Sequence, residues 1–91
     1  MKYTIRTTNK FDKDMKRCEK RGYKMDLIKD AMSILVETGS LPAKYRPRKL
    51  SGDKEGIWEC HIQSDWSMTW EQNDKYLTLL FLQTGTHSDM F

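Results

Sequence analysis

Two histidines, His61 and His87, are the side chains of this sequence best suited to acid–base work. Imidazole is the one side chain whose unperturbed pKa lies near neutrality. His61 is followed four residues on by Asp65 and then by Trp66, while His87 closes the string Thr84-Gly85-Thr86-His87. A lone histidine is more often structural than catalytic, so convergence of the two is what matters. Two imidazoles and one carboxylate beside a basic surface make a general acid–base set. A phosphodiester with a neighbouring 2′-hydroxyl suits such a set. It needs a base for the hydroxyl, an acid for the leaving oxygen and cations for the phosphate, with no metal and no covalent enzyme intermediate. Arg46, Arg48 and Lys49 can supply the charge. Trp66 and Phe91 can supply rings on which an unpaired base stacks.

Competing chemistries fit less well. His61, His87 and Asp65 would make three ligands for a catalytic zinc, but their spacing is not that of a zinc-binding helix. There is no Gly-x-Ser-x-Gly elbow, and Gly52 and Gly56 fit no phosphate-cradling loop. No cofactor is expected. The cysteines, Cys18 and Cys60, are too few for a disulfide framework or a Cys-x-x-Cys metal site and read as reduced thiols. The six methionines read as gap-filling core residues.

The elements that must position these residues follow from periodicity. Residues 3–7 alternate apolar and polar as a short strand does. Thr8 or Asn9 then caps a helix whose Phe11, Met15 and Cys18 form one apolar stripe. Gly22 stops it, and a second helix over about 24–38 carries Met25, Ile28, Met32 and Leu35 on one face until Gly39. Residues 40–56 hold both prolines and read as a long loop. Strands are expected over 57–62, 67–71 and 76–82, with a turn at Gln72-Asn73-Asp74. Trp58 and Trp70 fall on these strands as core or half-buried residues. The tail from Gln83 reads as polar until its last two residues. The order β-α-α-β-β-β implies an α+β fold, with a helix hairpin on one face of a twisted, mainly antiparallel sheet.

Ninety-one residues leave room for one domain, residues 1–91, and one small core. The mean hydropathy is −0.80, yet ten aromatic residues argue against disorder. No apolar run is long enough to span a membrane, and the start, Met1-Lys2-Tyr3-Thr4-Ile5-Arg6, lacks the apolar segment of a secretory signal. A cytoplasmic location is therefore expected. Charge is unevenly shared. Residues 1–50 carry 14 Lys and Arg against 6 Asp and Glu, whereas residues 51–91 carry 2 against 7. The bland reading of the basic half is a solvated helix surface. The functional reading is a polyanion partner, with Lys13, Lys16, Arg17 and Lys20 of the first helix as its general RNA-binding face.

The string Glu-Cys-His61-Ile-Gln-Ser-Asp65-Trp66, followed after about twenty residues by Gln83-Thr-Gly-Thr-His87-Ser-Asp-Met-Phe91, resembles the YafQ family of bacterial toxins, part of the RelE superfamily. The Leu50-Ser51-Gly52 segment and the paired helices agree, and the resemblance covers nearly the whole chain. It implies the fold of a small microbial ribonuclease. It also implies a ribosome-dependent endoribonuclease that cuts mRNA in the ribosomal A site and is silenced by a cognate antitoxin of the DinJ or RelB kind. The resemblance places His61, Asp65, Trp66, His87 and Phe91 in the active site. His87 becomes the general acid, with His61 or Asp65 as the base. Two positions depart from the family pattern. Arg48 stands where many relatives have histidine, and Gln83 where many have arginine. An arginine cannot act as a base near neutral pH. Two alternatives accompany this reading: a ParE-like gyrase poison, which shares the fold and cuts nothing, and a weakened toxin that only binds its antitoxin.

Overall fold

The computed structural model describes residues 2–52 and 56–90. The chain runs through β1 (Thr4–Thr7), α1 (Asn9–Lys20), α2 (Met25–Thr38), a 3-10 turn (Ala43–Tyr45), β2 (Arg48–Lys49), β3 (Ile57–Gln63), β4 (Trp66–Asn73), β5 (Thr78–Gly85) and the single turn α3 (His87–Met90). The five strands form one sheet in the order β1-β5-β4-β3-β2. Three of the four pairings are antiparallel; β1 lies parallel to β5. The α+β architecture and the helix hairpin are as the periodicity implies.

Local chemistry explains the boundaries. Thr8 is the cap of α1: its hydroxyl oxygen accepts from the Phe11 N–H at 2.9 Å, and its O–H donates to the Leu82 carbonyl at 2.8 Å. The helix is thus capped and tied to β5 by one side chain. Gly39 ends α2 in the left-handed conformation, and a Cβ there would stand 2.5 Å from the Tyr3 hydroxyl. Between helices and sheet lies the core of Phe11, Cys18, Ile28 and Leu35 against Cys60, Trp66, Met68, Trp70, Leu79 and Phe81. Phe11 and Phe81 rings meet at 5.5 Å. Both cysteines are free and buried within this core.

Three expectations need correction and one is filled in. First, the 40–56 segment is not all loop: the 3-10 turn packs on β3, and Arg48 and Lys49 pair with Glu59 and Trp58 as the edge strand β2. Its residues 53–55 lie outside the described ones. Second, the short strand expected at residues 3–7 is present as β1 (Thr4–Thr7), and as the other sheet edge it is exposed, with Ile5 at 42%. Third, Gln72 and Asn73 belong to β4; the turn falls on residues 74–77, with the Asn73 side chain accepting from the Tyr76 N–H. Fourth, Gln83, Thr84 and Gly85 are not tail but the end of β5. Thr84 has no exposed surface, and its polarity is fully used. Its N–H donates to Asp14, its hydroxyl donates to the Ser67 carbonyl, and that hydroxyl also accepts from the Trp66 indole. A polar residue enters a core when every donor and acceptor finds a partner.

Candidate active site

Strand alternation builds the site. In β3 the side chains of Glu59 and His61 share one face, while Cys60 between them points into the core and is fully buried. The register sets Arg48 of β2 opposite Glu59, and Ser67 of β4 opposite His61. A bulge between His61 and Gln63 precedes the tight turn at residues 64–65, and brings Asp65 round to the same side. β5 then ends at Gly85, opposite Ser67, so that α3 delivers His87 to the same place. The result is a cleft of about 400 Å³, walled by Arg48 to Ser51 on one side and Asp65 and His87 on the other, with Glu59, His61 and Ser67 on its floor.

The contacts within it are specific. The Arg48 guanidinium donates through Nε and Nη2 to Glu59 Oε1, at 3.0 and 2.9 Å. Glu59 is only 5% exposed, so its charge is held inside the protein by this arginine. Ser67 Oγ lies 3.4 Å from His61 Nδ1. The backbone N–H of His87 points at Asp65 Oδ1, also at 3.4 Å. Lys49 Nζ lies 5.5 Å from the Trp58 ring centroid. Burial pushes the Cys60 thiol up to about 12, and it raises Cys18 as well, so neither thiol serves as a nucleophile near neutral pH.

A second set of charges holds α3 in position. Arg21 donates to both oxygens of Asp89, at 2.6 and 3.2 Å, and Arg17 stands 3.8 Å from the same carboxylate. Asp89 also accepts from the Thr86 N–H, while the Thr86 hydroxyl accepts from the Asp89 N–H, a reciprocal cap on the turn that carries His87. The Arg21 hydrogen bond, aided by Thr86, keeps the Asp89 carboxyl well below the usual carboxylate range. Gly85 is required here, since a Cβ would lie 2.8 Å from an Asp89 oxygen and its φ is +149°. Asp14, 1% exposed, completes the set by pairing with Lys10 and Arg17 and accepting from Thr84 N–H.

The structure therefore brings together His61, Asp65, His87, Arg48 and Lys49. It leaves out others. Trp66 is 2% exposed, donates its indole N–H to Thr84 and meets Tyr23 edge-on at 4.9 Å, so its ring is core and offers no stacking surface to a base. Arg17 is a fastener between α1, β5 and α3, and its side chain is 35% exposed. Lys13, Lys16 and Lys20 are exposed but line none of the cleft. Arg46 lies in a smaller neighbouring cleft with Lys44. Phe91 lies outside the described residues. Among the described residues no group of three His, Cys, Asp or Glu side chains could hold a metal ion, so the three-ligand zinc arrangement of His61, Asp65 and His87 is not formed. Sequence reasoning missed Glu59 and Ser67. Glu59 was open to discovery, since it stands two residues before His61 and must share its face.

A helix hairpin on a mixed five-stranded sheet, with a two-histidine cleft at the ends of its strands, places the chain in a known class. Residues 3–91 match the family model described as bacterial toxin of type II toxin–antitoxin system, YafQ. A protein of Escherichia coli strain K12, the mRNA interferase toxin YafQ, is 34% identical over 88 residues, which cover 96% of this chain and 94% of that one. YafQ in the crystal structure of the E. coli DinJ–YafQ toxin–antitoxin complex superposes with a TM-score of 0.90 at 30% identity, covering 100% and 99% of the two chains. A metal-bound toxin from Helicobacter pylori superposes at 0.88 and 31% identity, over the full length of both. The chain belongs to the YafQ family of type II toxins.

Proposed function

We propose that the protein is an mRNA interferase, a toxin that arrests translation by cutting ribosome-bound message. The observation that carries this is the convergence of His61 and His87 with Asp65, Arg48 and Lys49 in one open cleft. In this reading His61 or Asp65 takes the proton of the 2′-hydroxyl, whose oxygen attacks the adjacent phosphorus. His87 gives a proton to the departing 5′-oxygen. The Lys49 ammonium and Arg48 Nη1, the guanidinium nitrogen not bound to Glu59, oppose the charge that grows on the phosphoryl oxygens. No residue forms a covalent intermediate and no metal enters these steps. The mRNA interferase activity of the E. coli relative and its complex with DinJ support the reading and extend it to a DinJ-like antitoxin as partner. The ribosome and its mRNA would be met in the cytoplasm; no described helix is long and apolar enough to cross a membrane.

The test is brief expression without antitoxin, with mRNA ends mapped by sequencing. Growth arrest with new ends inside translated messages is the expected result. Arrest with intact messages and altered DNA supercoiling would replace this reading with that of a gyrase poison.

A further inference from the structure

Three clefts meet around Ser64. One is the histidine cleft. A second, of about 300 Å³, is lined by Lys44, Arg46, His61, Ile62, Gln63 and Ser64 and shares His61 with the first. The third is lined by Tyr23, Gln63, Ser64, Asp65 and Trp66. A polynucleotide whose scissile phosphate sits beside His61 can continue from the first cleft into either neighbour. Charge separates the two exits. The third cleft holds the Asp65 carboxylate, which it shares with the first, and no lining cation to offset it, so it offers a phosphate no counter-charge. The second holds two cations and no carboxylate.

The backbone adds an independent observation. Arg46 adopts φ 49° and ψ 52°, a left-handed conformation that costs energy in any residue with a side chain. It is held there by the Ala43 carbonyl, which accepts its N–H at 2.9 Å, by buried Tyr45 before it and by Pro47 after it. Glycine would relieve the strain, yet the chain keeps arginine. Among the described residues neither Lys44 nor Arg46 pairs with a carboxylate, in contrast to Arg48, which is tied to Glu59.

The geometry points to a second phosphate subsite, formed by Lys44 and Arg46, which holds the backbone phosphate next to the scissile one on the His61 side. It rests on the endonuclease reading and deepens it: the substrate is a strand gripped at two successive phosphates, one cut and one only held. Arg48 and Lys49 act on the first, Lys44 and Arg46 on the second, and His61 stands between them.

The experiment is single-turnover cutting of a ribosome-bound message in which one linkage at a time carries a neutral methylphosphonate. Wild type is compared with Lys44→Gln/Arg46→Gln. Arg46→Gly serves as a second variant, because glycine accepts the left-handed backbone without strain, so any slowing reports the lost side chain and not a disturbed turn. Neutralising one linkage flanking the cut is expected to slow the wild type about tenfold or more, as loss of a charge-assisted contact does. The variants should be slowed by a similar factor on the unmodified message. They should show no further loss at that linkage, since the two changes remove one interaction. Equal penalties in wild type and variants at every linkage would overturn the subsite while leaving the endonuclease reading intact. A wild-type protein that cuts no message would overturn both.

Discussion

The first helix and one wall of the cleft both carry cations, but they use them differently. On α1, Arg17 and its neighbour Arg21 are committed to Asp14 and Asp89, while Lys13, Lys16 and Lys20 face solvent. In the cleft, Arg48 is held by a buried carboxylate with part of its guanidinium still free to reach a ligand, and Lys49 lies over an aromatic face. The basic bias of the first half is therefore three things at once: fasteners, solvated surface and site. A count of charges cannot separate them. What separates them is the partner each finds across the fold.

The strongest way to break this comparison is at the acid. His87→Ala should lower single-turnover cleavage by about 10²–10⁴-fold, the usual cost of losing a general acid. The side chain is exposed on α3, so circular dichroism and antitoxin binding should be unchanged. Cutting within about threefold of wild type, far short of that range, would remove His87 from the mechanism and turn attention to Asp65 with Arg48.

Next comes the fastener set. Asp14→Ala leaves the buried Thr84 N–H without an acceptor and Arg17 without its nearest carboxylate. A loss of about 1–3 kcal/mol is expected for such an orphaned donor, read as a lower urea midpoint. An unchanged midpoint would mean that α1 is held by its apolar stripe alone.

Asp89 sharpens the same point through pH. Its folded carboxyl titrates below the ordinary carboxylate pKa of about 4 because Arg21 and Thr86 stabilise the anion. The contribution is therefore complete above that ordinary value and is lost as pH falls through the depressed one. The difference in melting temperature between wild type and Asp89→Asn should be constant from pH 8 to 5 and shrink as the solution is acidified below about 4. A gap that widens on acidification would contradict the clamp.

The smallest effect belongs to the solvated lysines. Changing Lys13, Lys16 and Lys20 to Gln should lower the slope of log affinity against log salt for ribosomal RNA binding by at most about two, at roughly 0.7 per phosphate contact. An unaltered slope would assign these residues to plain surface.

The sequence reveals elements whose signals are local. The α1 stripe, the Thr8 cap and the Gly39 stop lie within a few residues of what they control, and each reads correctly. The site was legible in part for the same reason: alternation on β3 and the turn after it fix His61 and Asp65 within five residues. Signals fail where the deciding contact is distant. Thr84 looked like tail because its partners, Asp14, Trp66 and Ser67, lie 17 to 70 residues away. Trp66 looked available because nothing nearby in sequence announces Thr84 or Tyr23. Arg17 looked like surface until Asp89 closed over it. β2 escaped notice since two residues between Pro47 and Leu50 carry no period at all.

The parallel seam between β1 and β5 also sets an order of events during synthesis. β1 is made before both long helices and every other strand, yet its hydrogen-bonding partner is β5, Thr78–Gly85. Until that segment emerges, β1 has no ladder to join, Thr8 has no Leu82 carbonyl to bond, and Asp14 lacks the Thr84 N–H. The turn bearing His87 comes later still. The helices and the β3–β4 hairpin can gather early, but the sheet closes and the histidine cleft forms only once β5 and α3 have both been made. A ribosome engaged in making this protein thus holds an unfinished blade.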